Sequence, residues 1–189
     1  MITVGLDMSL TSTGFCLLND ELCSAMTIKT KPSDFNKDLD RLKYIVDETF
    51  KNIPENVDLI CVEDYFIPQS RMQFNAAISL ISLGTLIRIK LYENKFPFVI
   101  IAPTQLKKWI LGKGNGQKSL IIREVFKKLN LDVKDDNQAD SAVLSYIAKD
   151  ILIVLKKQQV SKDFTKQRLE VIETIINDRP RYNCQSFWL

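Results

Sequence analysis

At 189 residues the chain suffices for one well-buried domain, since domains usually run to about 100–200 residues. It is 46% hydrophobic and 26% charged with only 6 Gly and 6 Pro, which excludes a disordered or low-complexity chain. The net charge is +3 and there is no His, which removes the serine triad and every His-based metal site, so any hydrolysis must run on carboxylates, lysines or bound metal.

Residues 2–7 alternate and predict a β-strand. A turn over Ser9–Gly14 leads to a second strand at Phe15–Leu18, and Leu22–Lys29 reads as a third, together an antiparallel meander. Leu39, Leu42, Ile45, Val46 and Phe50 recur at helical spacing within Asp34–Phe50. Val57–Val62 is a short apolar run of the kind buried in a parallel sheet, and it ends at Glu63. Ser70–Tyr92 predicts a long apolar helix, Phe98–Ala102 a strand, and Pro103–Leu111 a short helix, Pro being tolerated in a first turn. Beyond a Gly112–Gly116 loop, helices follow at Ser119–Leu129, Gln138–Leu155 and, after a polar connection, Lys162–Asn177. The order is α/β, with residues 1–157 as the main domain and 158–189 as its helical C-terminal extension.

Asp7 interrupts the first apolar run and no stretch of about 18 apolar residues occurs, so neither a signal peptide nor a membrane span is expected and a cytoplasmic location follows. Cys16, Cys23, Cys61 and Cys184 form no CxxC pair and read as buried free thiols, without disulfides or structural zinc.

Asp7 and Glu63 each close an apolar strand, so neighbouring strands would bring both carboxylates to one sheet edge, the usual place for a site in an open α/β sheet. Asp140 stands four residues before Leu144, on the face that Ile147 and Ile151 share. A lone carboxylate buried there is costly unless paired or bound to a cation. Asp136 lies one turn earlier and can reach the same ion. Such a set without His suits Mg²⁺, with Mn²⁺ as substitute, because hard cations prefer oxygen. Two ions about 3.5–4 Å apart would suit phosphodiester hydrolysis.

From Pro103 to Lys134 there are 8 basic residues against 2 acidic ones, Glu124 and Asp132. Lys107, Lys108, Lys113 and Lys118 flank the glycines of the 112–116 loop, where each ammonium could neutralise a phosphate; taken alone, such a run is more often a solvated face. Tyr65, Phe66 and Phe74 follow Glu63, and one of them could stack on an unpaired base, although core packing is the commoner fate.

The succession Gly5-Leu6-Asp7-x-Ser9-x-Thr11-x-Thr13-Gly14, Cys61-Val62-Glu63-x-x-Phe66, Gln105-Leu106-Lys107, Gly112-x-Gly114, Lys118 and Gln138-Ala139-Asp140 resembles the RuvC family of Holliday-junction resolvases over about residues 1–155, most closely its phage-encoded branch, such as the lactococcal phage enzymes. The resemblance implies an RNase H-like fold, a mixed five-stranded sheet flanked by helices. It further implies a homodimeric endonuclease nicking four-way junctions and leaving 5′-phosphate and 3′-hydroxyl ends. Asp7, Glu63 and Asp140 match its metal-binding carboxylates, Phe66 an aromatic at the junction, and Lys107 and Lys118 basic residues at the DNA. Many members carry an acid or His three positions before the last Asp, where this chain has Asn137; Asp136, on the same helix face, is assigned that role.

The alternatives are a branched-DNA-binding protein with little or no catalysis, to which Asn137 points, and an RNase H-like nuclease acting on RNA. The Asp7–Gly14 segment also resembles the first phosphate loop of actin-like and sugar-kinase folds, but the chain lacks their second half.

Overall fold

Alternation along the central strand decides how the sheet is clothed. In β1 (Ile2–Asp7), Val4 and Leu6 enter one hydrophobic core while Thr3, Gly5 and Asp7 point to the opposite face. In β4 (Leu59–Glu63), Ile60 and Val62 join the same core as Val4 and Leu6, and Leu59 and Cys61 enter a second core beneath the other face. Asp7 and Glu63 therefore end their strands on the same side of the sheet.

These features come from a computed structural model that describes residues 1–20, 22–65, 74–156 and 164–177. Its five strands run in the order β3-β2-β1-β4-β5, where β2 is Ser12–Asn19, β3 Leu22–Lys29 and β5 Phe98–Ile101. The β1–β2–β3 meander is antiparallel, and β1–β4 and β4–β5 are parallel, giving a mixed sheet. Helices α1 (Asp38–Lys51) and α2 (Phe74–Glu93) cover the first core through Leu42, Ile45, Leu83, Ile87 and Leu91. The second core is closed by α3 (Pro103–Leu111), α4 (Lys118–Leu129), α5 (Asp136–Leu155) and α6 (Lys166–Asn177). Among the described residues no helix is long and apolar enough to cross a membrane.

Several boundaries differ from the sequence reading. The second strand begins at Ser12, because Ser12, Thr13 and Gly14 pair across to Lys29, Ile28 and Thr27. The first helix begins at Asp38, after a 3-10 turn at Pro32–Asp34. Helix α5 opens at Asp136, since the Asp135 side chain accepts a hydrogen bond from the Gln138 amide at 2.9 Å and caps it.

Helix α5 lies unusually close to the sheet. A Cβ on Gly5 would stand 2.0 Å from the Ser141 carbonyl oxygen, and one on Gly14 would stand 2.1 Å from that of Asn137. Only glycine at these two positions lets the helix backbone rest on the strand backbones. The Thr3 hydroxyl ties the far end by donating to the Ser145 carbonyl at 2.9 Å.

The final helix buries Val171, Ile172 and Ile175 in the second core. It also places the Arg168 guanidinium 3.8 Å from the centre of the Trp109 ring, whose indole N–H donates to buried Asp150 at 2.9 Å. Burial raises the Asp150 carboxyl to about 6 despite that bond.

Candidate active site

The register that pairs Leu6 with Val62 sets Asp7 beside Glu63, and the two side chains are hydrogen-bonded to each other. Asp140 projects from the second turn of α5, which the Gly5 and Gly14 contacts press onto β1 and β2 just where Asp7 pairs with Gly14. Three carboxylates from three separate elements thus meet at one sheet edge.

Their electrostatics register the crowding. Burial raises the Asp7 carboxyl well above the ordinary aspartate range, and the charge and hydrogen bond of Glu63 push it further. Burial also raises Glu63, with the charge of Asp140 adding to it while the bond from Asp7 opposes it. Asp140 is lifted from 3.8 to about 7, first by burial and then by the charge of Asp7. Its Oδ1 is buried and meets no hydrogen-bond partner among the described residues. Acidic groups are thus concentrated where burial disfavours their charges and Lys107 and Lys118 offset them only in part, the condition under which a cation or proton is drawn in.

Asp136 answers differently. Its carboxylate pairs with the Lys118 ammonium, which holds it below its ordinary range and raises Lys118 in turn. Asp136 is near enough for its charge to bear on Asp7 and Asp140. Among the described residues, no group of three or more acids and thiols stands ready to hold one ion. The expected four-carboxylate cluster is therefore not closed: Asp7 and Glu63 hold each other through a hydrogen bond, and Asp136 is turned to Lys118. The donor set fits a hard divalent cation, being all carboxylate oxygen, with the orphaned Asp140 Oδ1 aimed at no protein group described.

Asn137 occupies the gap left in the acidic pattern. With its amide nitrogen facing inward, it donates to the Ser12 carbonyl at 3.1 Å and to Asp7 Oδ2 at 3.3 Å. The side chain that broke the pattern is a brace for Asp7, and sequence reasoning missed it. The turn after Asp7 is braced as well, Thr13 donating to the Ser9 carbonyl at 2.5 Å.

The basic residues separate into different places. Lys107 lies close enough for its charge to favour the ionised forms of Glu63 and Asp140. Lys118 is at the site through Asp136. Lys108, one position along the helix, points away and pairs with Glu170 of α6 at 3.1 Å. Lys113 is exposed in the loop that follows the left-handed Gly112 cap. Phe66 and the Phe74 side chain lie outside the described residues. Tyr65 packs along α2 with the Arg88 guanidinium 4.6 Å from its ring centre, and Arg88 also binds Asp64 at 2.7 Å.

Of the cysteines, Cys16, Cys23 and Cys61 are free thiols, and Cys184 lies outside the described residues. Cys23 is only half-buried, and strand pairing brings its Sγ to 3.1 Å from that of Cys16, a proximity that their sequence spacing does not suggest.

The model of a family described as crossover junction endodeoxyribonuclease RuvC matches residues 3–149. The fold is similar to that of Thermus thermophilus RuvC, at 17% identity and a TM-score of 0.58 over 77% of this chain and 91% of that one. It is equally similar to T. thermophilus RuvC in complex with a Holliday junction substrate, at 18% identity and 0.57 over 77% and 90%. The yeast mitochondrial Holliday junction resolvase Ydc2 matches at 12% identity and 0.52, over 98% of this chain and 83% of that one. Identities this low establish a shared RNase H-like fold. No curated protein sequence matches the chain.

Proposed function

The chain belongs to the RuvC family of crossover junction endodeoxyribonucleases, and on that premise we propose that it hydrolyses the phosphodiester backbone of Holliday junctions and related branched DNA as a divalent-metal-dependent homodimer. The observation that carries the reading is the convergence of Asp7, Glu63 and Asp140, each raised by burial and, in part, by the others, around the orphaned Oδ1 of Asp140. A protein that only bound DNA would gain nothing from buried acids that repel phosphate.

Asp7, Glu63 and Asp140 would hold the cations, Mg²⁺ or Mn²⁺, with Asp136 joining once it leaves Lys118. When bound, such ions supply Lewis acidity at the scissile phosphate and offset its charge. Asn137 fixes the Asp7 carboxylate by donating to Oδ2, so that its oxygens face the site before any ion arrives. Lys107 and Lys118 draw the scissile strand in against the acidic cluster, and Lys118 is well placed to exchange its Asp136 partner for a phosphate. In the hydrolysis a water oxygen bonds to phosphorus, the bond to the 3′ oxygen breaks, and that oxygen takes up a proton, leaving 5′-phosphate and 3′-hydroxyl ends.

An apolar stripe supports the dimer. Leu86, Ile89 and Tyr92 on α2 are 41%, 49% and 67% exposed, beside Leu39 of α1 at 71%. Surface of this kind marks a contact site, and two-fold pairing of protomers suits a junction with two strands to nick.

The second reading, a branched-DNA-binding protein with little catalysis, draws on the closed Lys118–Asp136 pair and on Asn137. One experiment separates the two. Labelled four-way junction, fork, linear duplex and RNA–DNA hybrid are incubated with the protein and with Glu63→Gln, in Mg²⁺, Mn²⁺ or EDTA. The proposal expects paired nicks in the junction that need metal and disappear in the variant. Tight junction binding without cutting in either ion would leave the binding protein, and cutting of the hybrid would make the substrate RNA.

A further inference from the structure

Two buried side chains that the hydrolysis does not use tie the turn after Asp7 to the end of β3. Arg41 of α1, 8% exposed, donates from Nη2 to the Leu10 carbonyl at 2.6 Å and from Nε to the Thr30 hydroxyl at 2.9 Å. Thr30 is buried as well; its hydroxyl donates to the same Leu10 carbonyl, and its amide donates to the Thr11 carbonyl at 3.0 Å. The turn and the end of β3 are therefore held as one unit, and Lys29, the last residue of β3, stands exposed upon it.

Strand register fixes where Lys29 stands. Asp7 pairs with Gly14, Gly14 with Thr27, and Ser12, one row further out, with Lys29. Directly paired residues share a face of the sheet, as do residues two apart on one strand. Gly14 lies against Asn137 and Thr27 donates to Asp135, so this face is the one that carries the carboxylates and α5. Lys29 is two strands from Asp7, about 10 Å by the spacing of strands. Lys107 approaches from the other side, on α3 directly after β5. None of the ion pairs among the described residues engages Lys29. The Asp135 carboxylate, on the same face, is taken by the Thr27 hydroxyl and the Gln138 amide, each at 2.9 Å.

We propose that Lys29 binds a backbone phosphate of the DNA strand being cut, on the opposite side of the scissile linkage from Lys107, so that this strand lies across the acids between two cations. The inference rests on the endonuclease reading and deepens it by giving the path of the DNA strand. A polyanion laid over a group of carboxylates is repelled by them, and lysines on one side alone would let it swing away. Thr11, exposed in the tied turn between Asp7 and Lys29, offers a hydroxyl of the kind that accompanies lysine at phosphate oxygens. Because Thr30 and Arg41 fix the backbone beside Lys29, only its side chain is left to be ordered on binding.

The test measures binding of a labelled four-way junction by the full chain, in EDTA so that nothing is cut, over a series of NaCl concentrations. Wild type is compared with Lys29→Ala, Lys29→Arg and Lys149→Ala. Lys149, beside Asp20 at the far end of the sheet, controls for the loss of a positive charge elsewhere. Lys29→Ala should lose about three- to tenfold in affinity, with a log–log salt slope shallower by about 0.9, while Lys29→Arg and Lys149→Ala keep both. A neutral methylphosphonate linkage is then walked along the DNA strand that the protein nicks; a position near the nick should weaken wild type and leave Lys29→Ala unchanged. Wild-type affinity and slope in Lys29→Ala, or losses that simply add at every linkage, would overturn the contact and leave the endonuclease reading standing. A wild type that nicks nothing in Mg²⁺ or Mn²⁺ would overturn the endonuclease reading, and with it a path across a cutting site, even if Lys29→Ala still lost affinity.

Discussion

Replacing Asp140 by Asn should make the protein more stable while ending cleavage, and the structure sets the size of the effect. Raising an aspartate from 3.8 to about 7 costs the folded state about 4 kcal/mol once the carboxyl must ionise. The sign follows from proton counting. Between about pH 4 and pH 7 the native protein keeps a proton that the unfolded chain has lost, so stability falls as pH rises through that window and stays low above it. An amide of the same shape carries no such cost, although part of the gain is lost if its nitrogen finds no acceptor. We expect Asp140→Asn to gain about 1–3 kcal/mol at pH 8 and nothing at pH 4. Urea unfolding in EDTA at several pH values measures this, and Mg²⁺ should stabilise the wild type more than the variant. A variant less stable than wild type at pH 8, or a difference independent of pH, would refute the electrostatic account of the site.

Gly14→Ala would drive its methyl into the Asn137 carbonyl, 2.1 Å away, so it should cost about 3 kcal/mol or more and lift Asp140 away from Asp7; thermal unfolding together with junction cleavage checks both effects. Lys118→Ala should flatten the salt dependence of junction binding by about one phosphate contact, and it should return the Asp136 carboxyl toward its ordinary range, visible by carboxyl NMR titration. Ile89→Glu, in the exposed α2 stripe, should shift the protein to monomer in sedimentation, with paired nicks giving way to single ones.

The sequence is most informative where a residue's role depends on its near neighbours. Asp7 and Glu63 each terminate a run whose burial is written in its own alternation, and Asp140 shares a face with Leu144, Ile147 and Ile151, all fully buried. The extent of β2 was missed because Ser12 and Thr13 look like turn residues, and only pairing with β3 makes them strand. The Lys118–Asp136 pair joins positions 18 apart, and nothing local announces it. Lys107 and Lys108 are neighbours in one basic run, yet adjacent helical residues point about 100° apart, and the structure sends Lys107 toward the carboxylates and Lys108 to Glu170. Asn137 looked like a lost acid because its partners, Ser12 and Asp7, lie more than a hundred residues away.

The contact of α5 with the sheet carries a further consequence. Because backbone meets backbone at Gly5 and Gly14, the gap between the Asp7 strand and the Asp140 helix has no side chain to compress and behaves as a fixed spacer. In the proposed metal site, ions of different radius would not be accommodated by sliding the helix. If the proposed metal site is formed, adjustment would fall to the side-chain torsions of Glu63 and Asp136, and discrimination between a small, strictly octahedral ion and a larger, more permissive one would rest on those two rotamers.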